Sequence, residues 1–310
     1  MEKEYVVVIG GINMDICARS SVPPVFHDSN PGKVSMCPGG VGRNIAHNMS
    51  LLGLDVRLMS VFGEDANAEL IRKSCAELGI DTSGSLTVPG GTTSTYVFIT
   101  DQHGEMQLAV SDMGRYDLLN PRHFSQHLNL INGATALVID TNMPSESIRY
   151  LRENVTVPIF ADSVSCAKAV KLCGNLSGIH TLKPNILEAE ILTETEIKSR
   201  ADLERAGDIL LNAGVKRVFI TLGSHGVYAA DNNERLLLGS MCLTPVNTTG
   251  CGDAFTAALV LDHMEGGSLR SGARCGLAAA WIAMETQDTI NSAMCREEII
   301  KRMNLRDGEI

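Results

Sequence analysis

The sequence contains no Cys-x-x-Cys pair, no His-Glu-x-x-His or comparable metal spacing, no long basic run and no apolar stretch approaching a membrane span. Each absence removes a class of protein. The nine cysteines, at 17, 37, 75, 166, 173, 242, 251, 275 and 295, are odd in number and scattered, which fits reduced thiols better than a disulfide framework. Eight histidines without ligand spacing argue against a zinc enzyme. A net charge of −10 without a basic cluster argues against a nucleic-acid polymer as partner, while a single nucleotide could still be held by local N–H groups. Met1–Tyr5 leads straight into the strand-like Val6-Val7-Val8-Ile9 with no signal-peptide pattern, and a cytoplasmic location with no membrane partner is expected.

What is present is the composition of a globular chain: 310 residues, 44% hydrophobic and 20% charged. Short apolar runs at 5–9, 56–62, 136–140, 157–161, 178–182, 217–222 and 226–229 read as strands. Periodicity predicts helices over 41–52, 66–78, 145–152, 201–213, 253–263, 268–285 and 296–303. Continuously apolar strands between helices predict an α/β fold with a mostly parallel sheet covered on both faces.

Two stretches break this rhythm. Residues 12–38 show little helical periodicity. Residues 92–112 read as a hairpin, with 93–100 and 105–111 flanking Asp101-Gln102-His103-Gly104. Together they predict a small β-layer projecting from the main sheet, so that 1–310 reads as one domain with a lid formed by about 12–38 and 92–112. In the hairpin Tyr96 and Phe98 alternate with Val97 and Ile99, so both faces carry apolar residues that a projecting layer cannot bury alone, and an interface is expected there.

The chemistry concentrates in two glycine-rich turns. Asn247-Thr248-Thr249-Gly250-Cys251-Gly252-Asp253 runs directly into the apolar Ala254-Phe255-Thr256-Ala257-Ala258. A helix start made of small residues attracts anions, because its unpaired N–H groups and the positive end of the helix dipole point the same way. Asp253 in such a turn is expected to stay ionised, and could take a proton from an attacking hydroxyl while the N–H groups hold a transferring phosphoryl group. Capping of the helix by Asp253 is the competing reading. The second turn is Pro38-Gly39-Gly40-Val41-Gly42-Arg43-Asn44, whose helix is expected to expose Asn44, a carboxamide suited to a pair of sugar hydroxyls. Neither turn is a P-loop or a dinucleotide fingerprint. Asp140, Asn142 and Asp162 fall at the ends of predicted parallel strands, where α/β sheets place ligands, though helix capping accounts for them equally well.

The run from Gly39 through Asn44 and Ala46 to Gly53 and Gly63 resembles the first signature of the ribokinase-like (PfkB) carbohydrate kinases. Residues 247–260 resemble the second signature in all but one position. The resemblance extends over nearly the whole chain, including Gly11-Ile12-Asn13-Met14-Asp15 and Lys183-Pro184-Asn185-Ile186-Leu187-Glu188. It implies a three-layer ribokinase-like fold with a small β-sheet lid, and phosphoryl transfer from ATP with magnesium. The segments 28–33, 104–106, 111–113 and 179–185 look most like family members that phosphorylate the ribose 5-hydroxyl of a C-glycosidic nucleoside. A kinase for another nucleoside or for free ribose is the alternative on the same fold.

By the same resemblance Asp253 is the base, and Thr249, Gly250, Cys251 and Gly252 form the anion hole. Asp15 binds two ribose hydroxyls, with Gly39, Gly40, Asn44 and Asn142 as further substrate contacts. Asn185, Thr221, Gly223, Gly226 and Thr249 lie at the nucleotide, and Glu188 reaches magnesium through water. Related kinases pair their lids between two subunits, which implies a homodimer. Two positions depart from the pattern. Cys251 replaces a small Ala, and Asn247 stands where many members have an Asp that helps bind a monovalent cation, which leaves potassium dependence open. A binding module that merely kept the fold has no need of a base inside an anion hole, so an enzyme is expected.

Overall fold

Val6–Ile9 forms the first strand, β1, and all four side chains are buried, with Val6 and Val8 on one face and Val7 and Ile9 on the other. The run is apolar at every position because both faces are covered. In the computed structural model, which describes residues 4–240 and 244–305, it is followed by β2 (Asn13–Ser20), β3 (Gly32–Gly39), α1 (Val41–Leu51), β4 (Val56–Met59), β5 (Val61–Phe62) and α2 (Ala66–Glu77). Next come β6 (Leu86–Thr87), β7 (Thr95–Thr100), β8 (Met106–Asp112), α3 (Pro121–Asn132), β9 (Ala136–Asp140), α4 (Ser145–Asn154), β10 (Ile159–Asp162) and α5 (Cys166–Ala169). The remainder holds β11 (Thr181–Lys183), α6 (Ile186–Thr193), α7 (Arg200–Asn212), β12 (Arg217–Thr221), β13 (Val227–Asp231), β14 (Arg235–Leu238), α8 (Cys251–Met264), α9 (Leu269–Ala283) and α10 (Arg296–Leu305). Cys242 lies outside the described residues, and the other eight cysteines form no disulfide among the described residues.

The main sheet has eight strands in the order β14-β13-β12-β11-β10-β9-β1-β4, parallel from β12 to β4 and antiparallel through β13 and β14. One core cluster packs α1, α2, α8, α9 and α10 on one face, and the other packs α3, α4, α6 and α7 on the opposite face. This is the three-layer α/β arrangement the alternation predicted. Every parallel strand ends on the same edge, which places the turns after β1, β9, β10, β11 and β12 side by side.

The structure corrects some elements. The strand predicted over 56–62 is broken at Ser60, whose hydroxyl donates to the Gly10 carbonyl at 2.6 Å. α3 was not expected, although Asn120 caps it by accepting from the His123 N–H and Pro121 occupies its first position, a usual helix start. Residues 12–38 supply two strands, β2 and β3, which join the hairpin in a second sheet of four strands ordered β3-β2-β7-β8. Its β2–β7 pairing is parallel and the other two are antiparallel.

Registration divides the residues of this small sheet between two faces. Val34, Ala18, Ile99 and Leu108 lie in one cross-strand row, and Met36, Ile16, Val97 and Val110 in the next, on one apolar face. Val34 is 70% exposed and Val110 62%. The other face carries Asp15, Cys37, Tyr96 and Ser111 in one row. No helix among the described residues is long and apolar enough to cross a membrane.

Candidate active site

The two glycine-rich turns begin two helices whose first turns meet. Gly40 precedes α1 with φ 98° and Gly250 precedes α8 with φ 82°, and neither helix start has a side-chain cap. Both positions need glycine for space as well as conformation. A Cβ on Gly40 would lie 2.4 Å from the Gly11 carbonyl oxygen, and one on Gly250 would lie 2.1 Å from that of Thr289. Asn44 and Asp253 project from the two first turns, and Asn44 Nδ2 donates to Asp253 Oδ2 at 2.9 Å. Asp253 therefore does not cap its own helix. Asn44, expected to be exposed, is only 7% so, because α8 covers it. Its Oδ1 is buried with no donor among the described residues.

Asp253 differs from expectation in charge as well. Burial, then the neighbouring charge of Asp162, push its carboxyl up to about 8, against the Asn44 hydrogen bond and the charge of Lys183. The positive end of one helix does not offset full desolvation. Near neutral pH most of the ligand-free protein thus holds Asp253 protonated. The N–H groups of Gly252 and Asp253 have no acceptor among the described residues, whereas the Thr249 N–H already donates to Asn247 Oδ1 at 3.0 Å. The anion-attracting donors accordingly sit deeper in the turn than Thr249.

Two cavities meet at Asp253. The larger, about 480 Å³, is lined by Asn13, Asp15, Gly40, Asn44, Asn142 and Lys168, with Thr249 and Gly250 at its α8 end. Tyr96, Ser111 and Met113 reach it from the small sheet and the turn after it. Asp15 accepts a short hydrogen bond from Asn13 Nδ2, and its carboxylate leaves no room for a side chain at Gly39, where a Cβ would meet Oδ2 at 2.0 Å. Burial raises the pKa of Asp15, partly offset by Asn13 and by the charge of Arg43. Arg43 is buried and donates to the Pro38 carbonyl at 2.8 Å, which fixes the turn before α1. Tyr116 plays a comparable part below the cavity, since its hydroxyl accepts from the Ile12 N–H and donates to the Ile12 carbonyl.

The smaller cavity, about 230 Å³, is lined by Asp162, Lys183, Asn185, Glu188, Thr221 and Gly252, and it shares Val41, Val164 and Asp253 with the larger. Its charged groups satisfy one another. Lys183 Nζ lies 3.2 Å from Asp162 Oδ2, which also accepts from the Thr256 hydroxyl at 2.9 Å. Burial works against the Lys183 charge, but Asp162 and Glu188 outweigh it and hold the ammonium above its usual pKa. Glu188 and Asn185 form a reciprocal capping box at the start of α6, and Glu188 Oε2 also accepts from the Ser163 hydroxyl at 2.7 Å. Glu188 thus caps its helix while its carboxylate stays on the cavity wall.

Most of the expected site residues come together on this edge of the sheet. Gly223 and Gly226 line neither cavity. Gly226 serves the turn into β13, where a Cβ would meet the Leu238 carbonyl oxygen at 1.9 Å. Gly39 and Cys251 also line neither cavity. Sequence reasoning missed Lys168, Lys183 and Thr256. Lys183 directly precedes the Pro-Asn of a recognised run, but a buried lysine has no sequence signature of its own, and Lys168 belongs to no motif.

Residues 3–294 match the pfkB family of carbohydrate kinases. The chain is 34% identical over 301 residues to pseudouridine kinase of Escherichia coli strain K12, covering 96% of each protein. It is 35% identical to an uncharacterized sugar kinase of the same organism, covering 96% of this chain and 83% of that one. Its fold matches Arabidopsis thaliana ribokinase complexed with ribose and ATP, with a TM-score of 0.85 at 22% identity over 97% of this chain and 99% of that one. The chain belongs to the pfkB carbohydrate kinase family, and it is a phosphotransferase acting on an alcohol group, with the ribokinase-like fold.

Proposed function

We propose that this protein transfers the γ-phosphoryl group of ATP to the ribose 5′-hydroxyl of pseudouridine, giving pseudouridine 5′-phosphate and ADP. The observation that carries the reading is the meeting of two cavities at one carboxyl, with the larger sized beyond a bare pentose. At about 480 Å³ it falls within the roughly 300–1,000 Å³ that takes a drug-sized ligand. The similarity to a pseudouridine kinase over nearly the whole chain supports this choice of nucleoside.

In this reading Asp15 accepts hydrogen bonds from the 2′- and 3′-hydroxyls, and the unpartnered Asn44 Oδ1 accepts from a further hydroxyl near Asp253. Ionised Asp253 takes the 5′-hydroxyl proton as that oxygen forms its bond to the γ-phosphorus, and the bond to the bridging oxygen of ADP breaks. N–H groups of Gly252 and Asp253 face the transferring oxygens at the start of α8. Lys183, held by Asp162, places a cation beside the same turn.

No group of three or more His, Cys, Asp or Glu residues among the described residues could hold a metal ion by itself. The donor set therefore fits magnesium carried on ATP phosphates, with Glu188 and Asn185 reached through its water. When bound, the ion neutralises charge on the phosphates. Residue 247 offers a monovalent cation an amide in place of a carboxylate. That amide is engaged within the protein, its Nδ2 donating to the Gln287 carbonyl and its Oδ1 accepting from the Thr249 N–H, both at 3.0 Å.

The apolar face of the small sheet, with Val34, Met36, Leu108 and Val110 exposed, suits a second copy presenting the same face. In this reading the small sheet is a lid, the active form is a homodimer, and the enzyme works in the cytoplasm. Sedimentation at micromolar concentration tests the pairing, and a fully active monomer would remove it. An ATP-consumption panel of pseudouridine, uridine, adenosine, inosine, ribose and fructose 6-phosphate tests the substrate. Pseudouridine is expected to be preferred over uridine by at least roughly tenfold in kcat/KM, about 1.4 kcal/mol of transition-state discrimination. A preference for ribose or adenosine would return the protein to another branch of the family.

A further inference from the structure

We infer that Lys168 selects the substrate's base, donating from its ammonium to a carbonyl oxygen of the heterocycle carried on ribose C1′. This rests on the larger cavity being the nucleoside site. Among the described residues Lys168 is the single lysine or arginine on that cavity's wall, and it takes no part in the smaller cavity, which has Lys183. Its Nζ donates to Asn142 Oδ1 at 2.5 Å, and no carboxylate pairs with it among the described residues. One of three ammonium protons is thereby used, and the other two have no acceptor among the described residues. Burial lowers its pKa, countered by Asp140 and reinforced by Lys171, so an acceptor supplied by a ligand would return part of the lost hydration.

Placement argues for the base rather than the sugar. Asn142 is clamped from below, its Nδ2 donating to Asp140 Oδ2 at 2.8 Å, and its amide packs on Gly11, where a Cβ would approach within 2.5 Å. Lys168 lies beyond this amide. With Asp15 on the 2′,3′-diol and Asp253 on the 5′-oxygen, the ribose position left to face the remaining wall is C1′. That wall offers Tyr96 and Met113 as flanks and Ser111, Ser165 and Lys168 as polar groups. Lys168 is the charged donor among them, and a base edge with a carbonyl oxygen is the acceptor that complements it. Asp28, Ser29 and Asn30 are exposed, line neither cavity and bond among themselves and to Val25, so within one subunit they do not read the base.

The test compares the native enzyme with K168M, which keeps the stem and removes the donor, and K168R, which keeps a donor. Constants are measured for pseudouridine and for ribose, the latter as substrate or competitive inhibitor, at saturating magnesium-ATP. K168M is expected to raise the pseudouridine KM roughly 10- to 100-fold with kcat changed less than about threefold. The ribose constant should stay within about twofold, and K168R should recover part of the loss. An unchanged pseudouridine KM overturns the inference while leaving the proposed activity standing. Equal rises for nucleoside and ribose also overturn it, because the contact is then on the sugar. A native enzyme that prefers another carbonyl-bearing nucleoside, with the same KM split in K168M, supports Lys168 and sinks the choice of pseudouridine. A native enzyme acting on ribose and on no nucleoside overturns both.

Discussion

The two cavities on either side of Asp253 are built in opposite ways. In the smaller one the charged groups are already paired, Lys183 with Asp162 and Glu188 with Asn185 and Ser163. In the larger one hydrogen-bonding capacity is left open, at Asn44 Oδ1 and at the ammonium of Lys168. A paired network is rigid before a ligand arrives and supplies a fixed field. Open valences are satisfied only by a ligand of the right pattern, and leaving them unmet is what penalises a wrong one. The smaller cavity thus suits phosphates that are alike in every turnover, and the larger suits discrimination.

Substitutions can break this contrast from its centre outward. Asp253→Asn should damage the function of both cavities, lowering kcat by roughly 10²- to 10⁴-fold with small changes in the binding of either substrate. Near-normal turnover in stopped-time assays would remove Asp253 from the chemistry. Asp15→Ala should act on the larger cavity alone, raising the KM for a ribonucleoside by about 10- to 100-fold while the ATP constant stays put. The 2′-deoxynucleoside should be a poor substrate already and lose little more, and equal fold-losses for both would show a different contact for Asp15.

The pH profile sharpens the point where the cavities meet. With the free-enzyme carboxyl at about 8, kcat/KM should rise about tenfold per pH unit below that value and level off above it. Stability should run the other way. The unfolded carboxyl ionises near the ordinary aspartate value of 3.8 while the folded one keeps its proton to about 8, so native stability falls between these values as pH rises. Asp253→Asn, lacking that linkage, should melt higher than the native protein at pH 8, with the gap closing toward pH 4. A flat rate profile between pH 6 and 8 would contradict this account of the base.

Glu188→Gln should act on the smaller cavity, shifting magnesium dependence by several-fold and leaving the nucleoside KM in place. It should also cost roughly 1–3 kcal/mol of stability, because one amide nitrogen replaces an acceptor in a satisfied network. An unchanged magnesium titration would leave Glu188 as a helix cap only. The smallest effect is expected from exchanging potassium for sodium, since the Asn247 amide already bridges the Thr249 N–H and the Gln287 carbonyl. Strong potassium activation that persists in Asn247→Asp would place a cation elsewhere.

Much of the fold could be read from local pattern because burial imposes it residue by residue. Val6–Ile9 and residues 136–139 are apolar throughout because helices cover both faces, and the starts of α1 and α8 announce themselves through glycines that only a tight helix entry requires. Elements defined by one side chain's distant partner were not legible. The break at Ser60 depends on the Gly10 carbonyl, and the parallel pairing of β2 with β7 joins segments some eighty residues apart.

By itself the sequence determined most strands of the main sheet and most of the helices that cover it, the two glycine turns and the residue types that occupy them, since these depend on neighbours within a few positions. Tertiary structure decided what those residues are electrostatically. It turned Asp253 from an expected permanent anion into a carboxyl that titrates at about 8, through full burial and the charge of Asp162, ninety-one positions away in the chain. It also brought Lys168 and Lys183 to opposite sides of that carboxyl, on the walls of different cavities. Desolvation and Coulomb interaction depend on distance through space, and no local pattern of residues encodes that distance.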